Sequence, residues 1–162
     1  MKTTLSTILT LALIVWLGAE IFFPVVAAVT FSTLTPDTHT AGTIVGTLLR
    51  ILHRMGMVCG VVALAVLALA PFFGLFKQGA VLAPMVLLVV MIAGTAYSQY
   101  GIIPAMDRDK VAAGGAINTA EPENPITIHF NKLHVRSTWV EEGVLLLGLV
   151  TVVLIARAAS SS

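Results

Sequence analysis

Between Leu5 and Leu34 the chain carries a single charged residue, Glu20. An α-helix needs only about 20 apolar residues to cross the hydrocarbon of a bilayer, so this stretch is more than long enough. Three further apolar stretches follow, at about residues 41–70, 80–103 and 129–158. The chain is 57% hydrophobic and 10% charged, whereas an ordinary soluble domain carries about 25% charged residues. That excess is too large for a protein core and makes lipid the expected solvent. The 162 residues suffice for one all-α domain, a polytopic membrane protein folded as a four-transmembrane-helix bundle. Its helices are expected at about 4–33, 41–70, 80–103 and 129–158, with a polar lid over 105–128.

The punctuation supports these limits. An apolar run from Leu5 to Leu34 outlasts the 7–15-residue core of a cleaved signal, so it reads as a retained first helix, with Pro24 as its kink point. Pro36 and Asp37 mark a turn, and Thr38 or Thr40 is suited to cap the second helix. Pro71 and Gly74 end that helix. Pro104 is expected to close the third. The segment 105–128 is rich in charge and turn residues, including Asp107-Arg108-Asp109-Lys110, Gly114-Gly115 and Glu121-Pro122-Glu123-Asn124-Pro125. Only Val144–Ala156 of the fourth segment is cleanly apolar. Spanning the bilayer therefore draws Glu141 and Glu142 inside its boundary.

Four spans place both termini and the Lys77 link on one side. The loops at 34–40 and 104–128 fall on the other, which carries Arg50, Arg54, Arg108, Lys110, Lys132 and Arg136. The positive-inside tendency predicts that this loop side is cytoplasmic. Depth then aligns the polar residues. Gly42, Gly46, Arg50, His53, Met57 and Gly60 recur at helical spacing on one face of the second helix, and His134, Ser137, Thr138 and Glu141 do so on the fourth. Charge facing lipid is costly, so Arg50, His53, Tyr97, His134, Glu141 and Glu20 are expected to turn inward and meet under the lid.

Several chemistries suit such a cluster. Histidines often only bond a carbonyl or carboxylate. With Met57, His53 and His134 form a candidate metal set whose soft sulfur suits copper(I). The two histidines alone are candidate axial ligands for a haem or another tetrapyrrole between helices. Glu20 and Glu141 are candidates to pair with Arg50 or the histidines, as a structural lock or a proton relay. Trp16, Tyr97, Tyr100 and Trp139 read as interfacial anchors, and His39 and His129 as solvated loop residues. Cys59 is the only cysteine, which excludes an intrachain disulfide. A net charge of +1 gives no sign of nucleic-acid binding. The sequence carries no phosphate loop, nucleophile elbow or HExxH, so no enzyme activity is expected.

Leu52-His53-Arg54-Met55-Gly56, Tyr97 with Ile103-Pro104, and Phe130-Asn131-Lys132-Leu133-His134-Val135-Arg136-Ser137 together resemble the transmembrane protein 205-like family. Its bacterial members are filed as a domain of unknown function. Where members often carry Asn in the turn after the serine, this chain has Glu141. The resemblance implies a four-helix membrane bundle, and a vertebrate relative linked to platinum-drug resistance implies handling of metal species. The reading is a multi-pass protein of a bacterial inner membrane, embedded in the lipid bilayer, whose polar and histidine site binds or moves a metal ion or haem-like ligand. The alternative is an accessory subunit among other subunits of a larger respiratory or photosynthetic complex, holding a pigment.

Overall fold

A computed structural model describes residues 1–115, 117 and 123–160. Helix α1 spans Lys2–Thr33 and α2 Thr38–Leu69. Helix α3, Gln78–Tyr97, passes through a π-turn at Ser98–Ile102 into α4, Ile103–Ala112, and α5 spans Pro125–Ser160. There is no strand among the described residues. Four stretches of 32, 32, 35 and 36 residues are long and apolar enough to cross a membrane: α1, α2, Gln78–Ala112 and α5. At 1.5 Å per residue even the shortest is about 48 Å, against a hydrocarbon core of about 30 Å. The spans therefore tilt or protrude. Leu11, Ile14, Phe22, Val58, Leu82 and Leu146 are all more than half exposed. Such a surface suits lipid and would be an aggregation hazard in water.

Helix α1 packs on α2, α2 on α3, and α3 on α5, while α1 and α5 touch less. The Lys2 side chain lies against Gly74, which places the N-terminus beside the α2–α3 link. At the opposite end Asp37 accepts the Thr40 amide at 2.9 Å. Asp37 thus caps α2, in place of Thr38 or Thr40, because its carboxylate is the first acceptor that reaches the unpaired amides of the opening turn.

The third span departs from expectation at Pro104, which does not close it. Proline lacks an amide hydrogen and crowds the carbonyl four residues back. The π-turn changes the bonding register just before it, with the Ile103 amide bonding to the Ser98 carbonyl. Pro104 then falls in the first turn of α4, where no donor is required. The expected lid accordingly begins as helix. It turns at Gly114 and Gly115, whose φ values of 79° and 100° suit residues without a Cβ. Residues 116 and 118–122, including the expected Glu121-Pro122 turn, lie outside the described residues. Helix α5 starts ahead of residue 129 because Asn124 Oδ1 accepts the Ile126 amide at 2.9 Å, with Pro125 opening the helix.

Trp16 is not an interfacial anchor. It is 0% exposed and lies on α2 over Gly56 and Gly60. A Cβ on Gly60 would stand 2.7 Å from both Trp16 Cζ3 and Ile92 Cγ1. One helical turn away, a Cβ on Gly56 would collide with the indole itself. Small residues permit such close approach where lipid gives helices little hydrophobic reason to associate. Trp139, by contrast, is 69% exposed, as an anchor would be.

Candidate functional site

The indole fixes the first element of the site. Trp16 and Glu20 are four residues apart and share a helix face. Trp16 Nε1 donates to Glu20 Oε1 at 3.1 Å, and Glu20 is only 4% exposed. Gly56 and Gly60 thereby set the depth of a buried carboxyl group on the neighbouring helix.

His53, one turn before Gly56 on α2, is 0% exposed and bonded at both ring nitrogens. Nδ1 stands 3.1 Å from Gln99 Oε1, and Nε2 stands 2.7 Å from Glu141 Oε1. The π-turn explains how Gln99 gets there. It turns the adjacent residues Ser98 and Gln99 inward together, and both are buried. Ser98 Oγ meets Ser137 Oγ at 3.3 Å, and Ser137 lies one turn before Glu141 on α5. The second Glu141 oxygen, Oε2, is buried without a hydrogen-bond partner among the described residues.

Glu20 and Glu141 both face a chamber of about 650 Å³ between the second half of α1, the first halves of α2 and α5, and α4. Its apolar walls include Phe23, Phe31, Leu49, Ile103 and Leu145. At its rim Arg50 pairs with Asp107 at 2.5 Å, and Arg50 Nη1 also donates to the Gly46 carbonyl at 3.2 Å. Lys110 sits 5.7 Å from the centre of the Phe130 ring, a cation–π contact. The His134 ring stacks parallel to Phe130 at 6.5 Å. His129 Nδ1 contacts Asp109 Oδ2 at 2.8 Å, which ties α4 to α5.

Of the residues singled out from sequence, the chamber brings together Glu20, Arg50, His134 and Glu141. His53 stands behind Glu141, bonded to it and fully buried. Tyr97 is 48% exposed and accepts from Arg136 Nη1 at 3.4 Å. Met57 is partly buried on α2 and is not among the residues lining the chamber. Arg50 pairs with Asp107 rather than with Glu20 or Glu141. This arrangement bears on metal and haem. Both His53 nitrogens are engaged, and His134 stacks on Phe130 instead of facing His53. No three His, Cys, Asp or Glu among the described residues come together to hold an ion. Among the described residues the side chains do not form a donor set for either group.

Trp16, Gln99, Asp107 and Ser98 were not among the expected site residues. Gly56 and Gly60, spaced four apart, were the one available signal for Trp16, since they reserve volume on α2 for something large. Gln99 had none, because the π-turn that directs it inward has no sequence signature.

A family model described as a domain of unknown function (DUF4149) matches residues 11–113. The chain belongs to this family. No curated protein and no solved structure matches it. The DUF4149 match includes Trp16, Glu20, Arg50, His53, Gln99 and Asp107, and ends before α5. Glu141, which bonds His53 from α5, therefore lies beyond the matched region.

Proposed function

We propose that this integral membrane protein binds a small amphiphilic cation in the chamber. The observation that carries the reading is an apolar, aromatic-walled space of about 650 Å³ lined by four carboxyl residues, among them Glu20 and Glu141, neither of which is bonded to an Arg or Lys among the described residues. The nearby fixed cations are engaged elsewhere, Arg50 with Asp107 and Lys110 with Phe130. The volume falls within the roughly 300–1,000 Å³ of small-molecule pockets. Aromatic faces add attraction for a cation. An ionisable residue at membrane depth is by default a marker of a ligand or ion path. In this reading the chamber opens toward the loop side, which the positive-inside tendency assigns to the cytoplasm. Phe130, His134 and Ser137, which carry the resemblance to the transmembrane protein 205-like family, all line the chamber.

The test uses two ions of like shape and opposite charge. Tetraphenylphosphonium should bind the purified protein in lipid nanodiscs with saturable, one-to-one stoichiometry by equilibrium dialysis. Tetraphenylborate should not. Glu20→Gln and Glu141→Gln should each weaken the phosphonium site. Equal binding of both ions, or no phosphonium binding, overturns the reading.

A further inference from the structure

Hydrogen bookkeeping at His53 says more than that a cation fits. With the Gln99 carbonyl oxygen toward Nδ1, as it stands at 3.1 Å, that nitrogen must be the donor, because a carbonyl oxygen only accepts. At 2.7 Å the contact between Nε2 and Glu141 Oε1 also needs a hydrogen, since two lone pairs at that distance would repel. The proton sits either on the imidazole, as a charged pair, or on the carboxyl, as a neutral one. In both forms the pair carries no net charge. In this orientation of the Gln99 amide the pair holds one proton more than a neutral histidine beside a carboxylate; with the amide turned over it does not.

We propose that the chamber exchanges one proton for one cationic ligand, the proton being the one shared between His53 Nε2 and Glu141 Oε1. This rests on the chamber being a cation site. The balance is simple. The neutral pair and a free cation become a bound cation beside a pair of charge minus one, and one proton leaves to solvent. No bond other than the one to hydrogen breaks.

Two features of the site suit this exchange. Glu141 Oε2 is a buried acceptor without a donor among the described residues, on a residue that lines the chamber, so a cation bound alongside would offset a carboxylate charge that no donor there serves. The second feature is the amide. Once the proton leaves, the remaining imidazole hydrogen is needed on Nε2 to serve the Glu141 carboxylate, which leaves Nδ1 as an acceptor. Gln99 meets that demand by rotating its amide half a turn, so that NH₂ donates where the carbonyl oxygen accepted. An amide presents a donor and an acceptor from one planar group, whereas a carboxylate only accepts. Gln99 is thus a positioning residue that satisfies both protonation states of a ring with 0% exposure, where an unpaired nitrogen is costly.

Other charges surround the pair. Glu20 faces it from α1 and lies within electrostatic reach of both His53 and Glu141. His39 and Arg50 from α2, Asp107 and Lys110 from α4, and Glu142 and His134 from α5 line the same chamber. Arg50 and Asp107 offset each other. Glu20, His39, His134 and Glu142 are the competing sources of a released proton, and the Glu141→Gln arm below separates them from the pair.

The experiment is calorimetric titration of tetraphenylphosphonium into the nanodisc protein between about pH 5.5 and pH 8.5, in buffers of different ionisation enthalpy. Where the pair is protonated, about one proton should be released per probe, and affinity should rise about tenfold per pH unit. Glu141→Gln should bind weakly, with no proton release and a flat pH profile. Gln99→Glu cannot donate to Nδ1, so it should hold the proton on the pair and move the pH midpoint upward. Phosphonium binding that is independent of pH, with no proton released, overturns the exchange while the cation site stands. Proton release that persists in Glu141→Gln overturns the assignment to the His53–Glu141 pair. Absence of binding at every pH removes the cation site and the exchange with it.

Discussion

Gly56→Ala should damage this protein far more than its one added carbon and two hydrogens suggest. The new Cβ would stand 2.9 Å from Trp16 Cδ1 and Cε2 and would collide with Nε1. Carbon atoms pack at about 3.5–4.0 Å, so the ring must retreat by about 0.6 Å or more. It has nowhere to go, being 0% exposed. Overpacking of this kind costs about 1–3 kcal/mol. The same shift stretches the 3.1 Å bond from Nε1 to Glu20 beyond useful length, which adds about 1–3 kcal/mol. At about 1.4 kcal/mol per tenfold change, the unfolding equilibrium moves by more than tenfold. The chain has two tryptophans, so a Trp139→Phe background leaves Trp16 as the sole indole reporter. Unfolding in detergent, followed by its emission, gives the stability, and acrylamide quenching gives its shielding. Gly18→Ala is the control, since a Cβ there meets nothing within 4 Å, and it should be neutral or stabilising. If Gly56→Ala matched Gly18→Ala in stability and quenching, the argument that glycines seat the indole would be wrong.

Three further outcomes follow from the same contacts. Trp16→Phe removes the Glu20 donor while keeping a ring, and should cost about 1–3 kcal/mol in detergent unfolding, along with weaker phosphonium binding. His53→Leu should cost about 3–5 kcal/mol because it strands Glu141, and the double variant His53→Leu/Glu141→Leu should recover most of that loss; a double variant no better than the single would contradict the pairing. The Thr40 hydroxyl and amide hold the Asp37 carboxyl below its usual 3.8. A carboxyl lowered by folding stabilises the fold above its unfolded value and loses that contribution as the pH falls through the folded one. The difference in thermal midpoint between the parent and Asp37→Ala should therefore narrow at acid pH, and a difference unchanged from neutral to acid would refute the cap.

The four spans were legible because lipid imposes length and apolarity on the sequence itself. Glu20, Arg50 and Glu141 were legible as chamber residues for a related reason, since depth along each span restricts which polar groups can meet. Partner identity was not. Arg50 turned to Asp107 because α3 continues through Pro104 into α4 and carries Asp107 over the chamber, where the sequence suggested a stop. Gln99 reached His53 because a π-turn rotates it inward, and 3.6-residue periodicity has no term for that. Trp16 looked like an interfacial aromatic because composition cannot distinguish an indole at the membrane surface from one seated on two glycines of another helix.

The turn at Ser98–Ile102 fits one residue more than an α-helical turn would hold. Its wider i→i+5 bonding absorbs that residue, so the helix beyond it keeps its angular phase. Deleting a single position there would restore an uninterrupted α-helical ladder with Asp107 and Lys110 still over the chamber, but Ser98 and Gln99 could no longer both turn inward. His53 would lose its Nδ1 partner while the rim stayed aligned. The gain or loss of one residue at this spot is thus a compact way for related chains to rewire the buried histidine without disturbing the edge of the chamber.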